Sequence, residues 1–235
     1  MFQTDPFSLI IVLVGLSLIP FVAMIATSYL KIVVVISLIR NALGIQSIPP
    51  NMVINALAMI LTFYIMAPVA NESWSAIVES QKAMVASAQA APAQSQAAAP
   101  HASTFDLSSF DLVKAAEPFR AFLSSHTSPR ERAFFVKTAE SLWGKDGEPA
   151  VVDSESFWIL LPSFCVSELT KAFQIGFLVY LPFIAIDIIV SNILLAMGMM
   201  MVSPVTISLP FKLLLFVMVN GWTLLVQGLV RGYMI

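Results

Sequence analysis

The amino-acid sequence predicts an all-α membrane protein in which two long helical hairpins flank a small helical extramembrane segment. The first observation is composition: apolar residues make up 58% of the chain and charged residues only 11%. Soluble domains are roughly 45–50% apolar and about 25% charged. The mean hydropathy of +0.87 agrees with this shift. The second observation is that the apolar residues form long runs, and a membrane span takes about 20 such residues in a helix.

Four apolar runs supply the predicted membrane helices. The first, residues 6–39, is longer than one simple span, and Pro20 predicts a kink within it. The second, residues 52–69, carries no charge. The third and fourth runs, residues 157–202 and 205–230, follow a polar stretch in the middle of the chain. The runs therefore pair into one hairpin on each side of that stretch.

The first two runs are joined by a short connection, residues 40–50. It begins with Arg40 and contains Gly44, followed by Pro49 and Pro50. Glycine commonly ends a helix, and proline cannot continue one. We therefore expect the chain to turn back on itself here. A second tight connection is expected between the third and fourth runs.

The chain divides into four segments on composition. Residues 1–80 are the N-terminal hydrophobic hairpin, and residues 81–104 are a low-complexity linker rich in Ala, Gln and Pro, which offers little to pack. Residues 105–155 are a small helical segment, in which residues 128–131 have the Ser-Pro-Arg-Glu pattern of a capping box. A folded piece this small needs a partner surface. Residues 156–235 are the C-terminal hydrophobic hairpin, which contains a methionine-rich loop.

The distribution of basic residues predicts the orientation in the membrane, because Lys and Arg favour the cytoplasmic side. Lys31 and Arg40 belong to the first connection and Lys212 lies near the second. This bias places both connections in the cytoplasm and residues 70–155 on the opposite side. Arg231 is a weak argument against that orientation.

Five charged residues interrupt the apolar runs: Lys31, Glu168, Lys171, Asp187 and Lys212. A charge at the bilayer centre costs roughly 2.5–3.5 kcal/mol on insertion scales, so such groups normally face protein or water. Glu168 and Lys171 are three residues apart and can pair on one helix face. That pair could simply neutralise itself at a helix end, or it could form a contact between subunits or line a water-filled cavity. Asp187 needs a partner from another segment or chain, with Lys31 and Lys212 as candidates.

Four of the twelve methionines cluster at Met197, Met199, Met200 and Met201. Taken alone, these residues are best interpreted as side chains that fill gaps in a packed helix end. A functional alternative uses the flexibility of the unbranched methionine side chain. A ring of such side chains could close a pore against ions and still deform around a passing chain.

The sequence contains no motif of an enzyme or a metal site. It has no H-E-x-x-H, G-x-S-x-G or Walker pattern. Cys165 is the single cysteine, and His101 and His126 have no cysteine near them in sequence that could complete a zinc site. The net charge of −2 gives no sign of a nucleic-acid-binding surface. We therefore expect no catalysis, no cofactor and no metal.

Several blocks of the sequence together resemble the SctR/FliP-type export-gate proteins of bacterial type III secretion systems. They include Arg-Asn-Ala-Leu-Gly and Ile-Pro-Pro-Asn in the first connection, the Ser-Glu-Leu-Thr-Lys stretch of the third run, the methionine cluster, and Leu-Pro-Phe-Lys-Leu with a later Gly-Trp in the fourth. These blocks are residues 40–44, 48–51, 167–177, 197–201, 209–213 and 221–222. No single block is specific, but the combination is.

The resemblance implies a pore-forming core subunit of the export apparatus, a portal through which unfolded substrates cross the bacterial inner membrane. It implies a homopentameric ring, with the SctS/FliQ and SctT/FliR families and the SctU/FlhB-type switch protein as partners. It assigns a methionine gasket to Met199, Met200 and Met201, with Met197 beside it. The periplasm is then the location of residues 70–155.

Two features bear on the branch of the family and on its contacts. The chain begins without the basic residues of a cleavable signal, which favours the injectisome branch over the flagellar branch. Asn220 departs from the acidic residue that the family is expected to carry before Gly-Trp, so an ion pair made by that acid would be missing here.

Two other functions remain open on the residues alone. One is an ion-coupled small-solute transporter, with Asp187 or Glu168 as the coupling group, although no convincing repeat relates the two halves of the chain. The other is a structural assembly subunit that never lines a path. The blocks that resemble the export-gate family favour a subunit of the export apparatus over both of these alternatives.

Overall fold

The structure is a computed structural model that describes residues 6–45, 48–89, 112–144, 151–199 and 201–234. These residues form eight α-helices and contain no strand, which confirms the all-α fold class. Within the described ranges, two helices have the length and apolar character to cross a membrane, and the number rises to four if each of two bent helix pairs counts as one span. The helices are α1 (Pro6–Ile25), α2 (Tyr29–Ala42), α3 (Asn51–Gln89), α4 (Leu112–His126), α5 (Pro129–Trp143), α6 (Phe157–Ala196), α7 (Pro204–Met218) and α8 (Gly221–Arg231).

The first apolar run contains a bend after Pro20. Pro20 lies inside α1, and the 56° bend between α1 and α2 falls at residues 26–28. There the Thr27 hydroxyl donates to the Ala23 carbonyl and accepts a hydrogen bond from the Tyr29 N–H. Local side-chain bonds of this kind compete with the helical ladder. The polar residues after α1 therefore set this bend, and a kink at Pro20 stays a prediction.

Helix α2 is the central helix of the fold. It packs most extensively on α6 and also on α3. Ile32, Val35 and Ile39 recur at helical spacing and are essentially inaccessible to solvent. A Cβ atom on Gly176 of α6 would lie 2.3 Å from Leu38 Cδ1 of α2. The absence of a side chain at Gly176 thus lets these two helices approach closely, as small residues do in membrane bundles.

Helix α3 is longer than its apolar run predicts. The run covers residues 52–69, whereas α3 extends as Asn51–Gln89 with Pro68 inside it. The first part of the predicted linker, residues 81–89, is therefore helical. Its sequence is rich in Ala and Gln, which are favourable helix formers. The remainder of that linker, residues 90–104, lies outside the described residues.

Helices α4 and α5 form the segment between the hairpins. Helix α4 packs on α3 and α6, and α5 packs on α6, so the long helices supply the partner surface that this segment needs. Ser128 precedes α5 in an extended conformation, but its side chain makes no capping hydrogen bond. The Ser128 N–H instead donates to the Ser167 hydroxyl at 2.9 Å. The predicted start of α5 is correct, and its tie to α6 replaces the predicted capping box.

Helices α6 and α7 pair as the second hairpin. Helix α6 has 40 residues and is about 60 Å long, roughly twice the hydrocarbon thickness of a bilayer. The fourth apolar run does not form one helix, because α7 and α8 meet at 60°. Asn220 lies at this bend with φ of 51°, a left-handed conformation that asparagine tolerates better than most residues. The Asn-Gly dipeptide at Asn220 and Gly221 is a turn signal that the surrounding apolar residues mask.

Candidate functional site

The most buried charged group of the chain's described part is the carboxylate of Glu168, which is 0% exposed. It lies 3.2 Å from Lys31 Nζ and 3.0 Å from Lys171 Nζ. The Tyr233 hydroxyl donates a hydrogen bond to the same carboxylate. We call these four residues the Glu168 cluster. It joins α2, α6 and the segment that follows α8, and charge-assisted bonds of this kind are stronger than neutral ones.

The two lysines of the Glu168 cluster are stabilised by more than the one acid. Lys31 Nζ lies 3.8 Å from the centre of the Tyr233 ring, at cation–π distance. Lys171, which is partly exposed, donates to the His126 carbonyl at the end of α4 at 2.6 Å. The His126 ring in turn packs on Tyr233 with ring centres 5.1 Å apart. The pKa of the Tyr233 hydroxyl is raised mainly by burial and further by the nearby charge of Glu168. The hydroxyl therefore keeps its proton and remains a hydrogen-bond donor.

A second ion pair lies further along α6, where Asp187 meets Lys212 of α7 at 2.6 Å. The Ser208 hydroxyl donates to the other carboxylate oxygen of Asp187, also at 2.6 Å. We call Asp187, Ser208 and Lys212 the Asp187 cluster. Lys212 Nζ also donates to the Ala42 carbonyl, at the end of α2, at 3.2 Å. Of the two lysines that the sequence offers Asp187, the structure selects Lys212, and Lys31 belongs to the Glu168 cluster.

The first connection begins with a glycine cap on α2. Gly44 has φ of +78°, its N–H donates to the Asn41 carbonyl at 3.0 Å, and the Ile45 N–H donates to the Arg40 carbonyl at 3.3 Å. These two bonds form the Schellman motif, which uses a left-handed residue to satisfy the last carbonyls of a helix. The sequence-based expectation that Gly44 ends the helix therefore agrees with the geometry.

Arg40 closes the same connection from the other side. Its guanidinium donates to the Pro49 carbonyl at 3.4 Å and to Asn51 Oδ1 at 2.5 Å. The Pro50 carbonyl accepts the first backbone bonds of α3. Each of the four residues predicted to shape this connection therefore takes part in ending α2 or starting α3. The bond from Lys212 to the Ala42 carbonyl links the connection to the second hairpin.

The methionine loop begins with the same backbone motif. Gly198 has φ of +74°, its N–H donates to the Leu195 carbonyl, and the Met199 N–H donates to the Leu194 carbonyl, both at 3.0 Å. This second Schellman motif ends α6 abruptly and turns the chain away from the helix axis. Gly198 is the residue that permits it, because a left-handed conformation is unfavourable for residues with a side chain.

The described methionines of this loop are open to their surroundings. Met197 is 62% exposed, Met199 40% and Met201 101%, while Met200 lies outside the described residues. These side chains therefore do not fill gaps in the core of their own chain. A cavity of about 440 Å³ between α6 and α7 reaches Met197 and is lined entirely by apolar residues.

The hairpin that carries the loop is apolar and uncovered beyond the Asp187 cluster. We call residues 188–207 the distal arm. Ile188, Ile193, Leu195 and Val205 of this arm are all more than half exposed. Apolar surface of this extent normally marks a contact with protein or lipid. The Asp187 cluster is therefore the last buried polar contact before the loop.

Two members of the clusters, Ser208 and Tyr233, and the adjacent residue His126 were missed by sequence reasoning. Ser208 lies one turn before Lys212, so its helical spacing is a signal that could have identified it. His126 and Tyr233 carry no such signal, because they reach Glu168 and Lys171 only through the packing of distant segments. In the described part of the chain, no group of three His, Cys, Asp or Glu side chains could hold a metal ion.

These features define a multi-pass helical membrane protein with two buried ion-pair clusters and an exposed methionine loop. Residues 12–229 match the model of the FliP family. The chain is 49% identical over 231 residues to "Yop proteins translocation protein R" of Yersinia pestis, covering 97% of each chain. It is 44% identical to "Hypersensitivity response secretion protein HrcR" of Ralstonia nicotianae, covering 96% of each chain. It is 42% identical to "Virulence protein YscR" of Salmonella typhimurium, covering 97% of each chain.

The chain therefore belongs to the FliP family. The family match and these relatives confirm the resemblance to SctR/FliP-type export-gate proteins and the preference for the injectisome branch. Membership makes the chain a structural component of a type III secretion apparatus.

A substitution at the start of the methionine loop tests the geometry of the loop. Gly198→Ala places a side chain in a left-handed conformation, and we expect a loss of about 1–2 kcal/mol of stability with a lower melting temperature in detergent and less secretion. The control is Gly15→Ala, since Gly15 has no neighbouring atom within 4 Å and no positive φ. An equal response of the two variants would contradict the role given to Gly198.

Proposed function

We propose that the chain is a pore-forming core subunit of the export apparatus, through which unfolded protein substrates enter the secretion path across the bacterial inner membrane. One observation carries this proposal: the exposed methionine loop lies at the tip of an apolar arm that extends beyond the Asp187 cluster and has many exposed side chains. A loop that served only the core of its own chain would have its side chains buried.

The chemistry of methionine suits a gate that must seal and yield. Its side chain is unbranched and has three rotatable bonds, so it fills irregular spaces and repacks with little strain. Several copies of Met199, Met200 and Met201 around a common axis would exclude water and ions. The same side chains would move aside for an extended polypeptide, which has no fixed shape for a rigid seal to match.

Assembly with other subunits accounts for the charged and apolar surfaces together. The described surface exposes large apolar side chains on α1, α3 and α6, and these need cover from protein or lipid. We propose a homopentameric ring that binds members of the SctS/FliQ and SctT/FliR families and the SctU/FlhB-type switch protein. The Glu168 and Asp187 clusters bond mainly within the chain, so their role is to hold each subunit rigid beside the subunit contacts.

The orientation proposed for the chain places residues 70–155 in the periplasm. The structure alters one argument for it, because Lys31 lies at the start of α2, near the end of α4, and not at the first connection. The cytoplasmic assignment of the connections then rests on Arg40 and Lys212.

The alternative function, an ion-coupled small-solute transporter, has less support. A coupling acid must gain and lose its ion during transport, and such acids commonly face a water-filled cavity. Glu168 is held by two lysines and a tyrosine, and Asp187 by a lysine and a serine. Each acid therefore has fixed partners within the chain. A transported ion would have to displace them in order to bind.

Removal of the methionine side chains tests the proposed gate. We expect replacement of Met199, Met200 and Met201 with alanine to raise ion leakage through the assembled complex, because the smaller side chains cannot fill the space on the axis. Replacement of the same residues with leucine keeps their volume and should leak less. Met59→Ala is the control, since Met59 is 48% exposed on α3 and far along the chain from the loop. Wild-type conductance in an assembled alanine variant would favour a packing role instead.

A further inference from the structure

Helix α8 is loosely packed along most of its length. Leu229 is the one buried residue within Gly221–Arg231. A cavity of about 490 Å³ lies between α8 and the rest of the bundle, and its lining includes Val35 of α2, Val179 of α6 and Leu225 of α8. A helix that borders a cavity gains less from packing, because the lining atoms lack contacts on one side. The position of α8 therefore depends on how its two ends are held.

Tyr233 follows α8 and holds its far end. The side chain is 9% exposed, and its hydroxyl donates a hydrogen bond to Glu168 of α6. Its ring centre lies 3.8 Å from Lys31 Nζ of α2. The same ring packs on Phe122 and His126 near the end of α4, with ring centres 6.0 Å and 5.1 Å away. One side chain thus contacts three helices that are distant from it in sequence.

The near end of α8 is held only through α7. The two helices meet at the bend at Asn220. Lys212 of α7 bonds to Asp187 of α6 and to the Ala42 carbonyl at the end of α2. The bent pair is thus tied to the bundle by the Asp187 cluster within α7 and by Tyr233 after α8. Of these two ties, Tyr233 is the one that acts on α8 directly.

The chemistry of tyrosine suits both kinds of contact made at this position. Its ring packs on other aromatic rings and attracts a cation such as the Lys31 ammonium. Its hydroxyl donates to the buried Glu168 carboxylate, and such a charge-assisted bond is stronger than a neutral one. Phenylalanine would keep the ring contacts and lose this bond, whereas leucine would lose both. The two substitutions therefore separate the ring from the hydroxyl.

We propose that Tyr233 is a latch that positions helix α8 by joining it to the end of α4 and to the Glu168 cluster. It acts through the residues that it contacts, so it is a positioning residue. The extramembrane helix α4 and the bent pair of α7 and α8, which begins in the distal arm, are then coupled through one side chain. Since the latch consists of contacts within one chain, it does not depend on the proposed portal.

Thiol labelling of the full chain, purified with its partners in mild detergent, tests the latch. In a Cys165→Ala background, which removes the single native cysteine, Leu229→Cys reports on α8 and Ile54→Cys is the matched control. Both residues are 2% exposed, and Ile54 lies at the start of α3. We expect Tyr233→Leu to raise the labelling rate several-fold at residue 229 and to leave it unchanged at residue 54, because only α8 is released.

Substitution of His126 tests the connection to α4. His126→Ala removes one of the rings that pack on Tyr233, so it should also raise the labelling rate of Leu229→Cys. It should add little once Tyr233→Leu is present, because both substitutions break the same contact. Effects of the two substitutions that simply multiply would show that α4 and α8 are not joined through Tyr233, and would overturn the latch.

Secretion shows whether the position of α8 matters for export. We expect Tyr233→Leu to reduce secretion several-fold and Tyr233→Phe to retain most of it, because phenylalanine keeps the ring contacts. Met234→Ala is the adjacent control, since Met234 is 74% exposed, and it should secrete like the unsubstituted chain.

The labelling results decide the inference separately from the portal. An unchanged labelling rate at residue 229 in Tyr233→Leu would overturn the latch. An equal rise at residues 229 and 54 would also overturn it, because Tyr233 would then support the whole fold and not α8 in particular. Should Tyr233→Leu fail to accumulate, His126→Ala decides, and an unchanged rate at residue 229 in that variant would overturn the latch.

Discussion

Replacement of Glu168 with glutamine is expected to be the most damaging single substitution in the chain. Among the described residues, Glu168 supplies the only carboxylate paired with Lys31, whose side chain is 4% exposed, so the substitution leaves that ammonium buried without this ionic partner. Loss of one member of a buried pair typically costs about 3–5 kcal/mol. We expect a large fall in melting temperature in detergent, little assembled complex and no secretion.

The matched control for this substitution is Glu155→Gln, because Glu155 is exposed and lies before α6. It should be nearly neutral. A second variant separates charge from folding: Lys31→Met combined with Glu168→Gln removes both buried charges, and we expect it to be more stable than Glu168→Gln alone. If the double variant is as damaged as the sum of the two single variants, the two residues do not act as a pair.

Replacement of Asp187 with asparagine is expected to have the second-largest effect. Lys212 is 4% exposed and loses its ionic partner, although the asparagine can still accept the Ser208 hydroxyl. The Asp187 side chain is 34% exposed, so water screens part of the interaction. We therefore expect a loss of about 1–3 kcal/mol, smaller than at Glu168, with impaired assembly or export.

Substitution of Lys212, the partner of Asp187, checks the result expected for Asp187→Asn. Lys212 also donates to the Ala42 carbonyl, so Lys212→Met should loosen the end of α2 in addition to breaking the ion pair. Asp153→Asn is a suitable control, because Asp153 is exposed and outside the helices. Wild-type secretion by Asp187→Asn would remove Asp187 from the functional residues.

The part of this fold that follows from local spacing could be predicted from the sequence. Glu168 and Lys171 were expected to pair because they are one helical turn apart, and they do. Gly44 was expected to end a helix because glycine alone adopts its conformation without strain, and it does. Composition was enough to give the all-helical membrane class.

The part that depends on packing could not be predicted. Lys31 and Glu168 are far apart in sequence, and nothing local brings them together. The choice of Lys212 for Asp187 follows from the pairing of α6 and α7, which spacing does not specify. Hydropathy also concealed the bend at Asn220, because the flanking residues stay apolar on both sides of it.

The Asp187 cluster turns the distal arm into a lever. The arm extends about 15 Å along α6 from Asp187 to Met197, and the ion pair to Lys212, with its bond to α2, acts as the fulcrum. A small tilt at the fulcrum becomes a larger sideways displacement at the tip. In the proposed portal, a polypeptide that pushes past the loop would therefore bend the hairpin at its base and leave the Glu168 cluster undisturbed, and the loop would return to its place when the load is released.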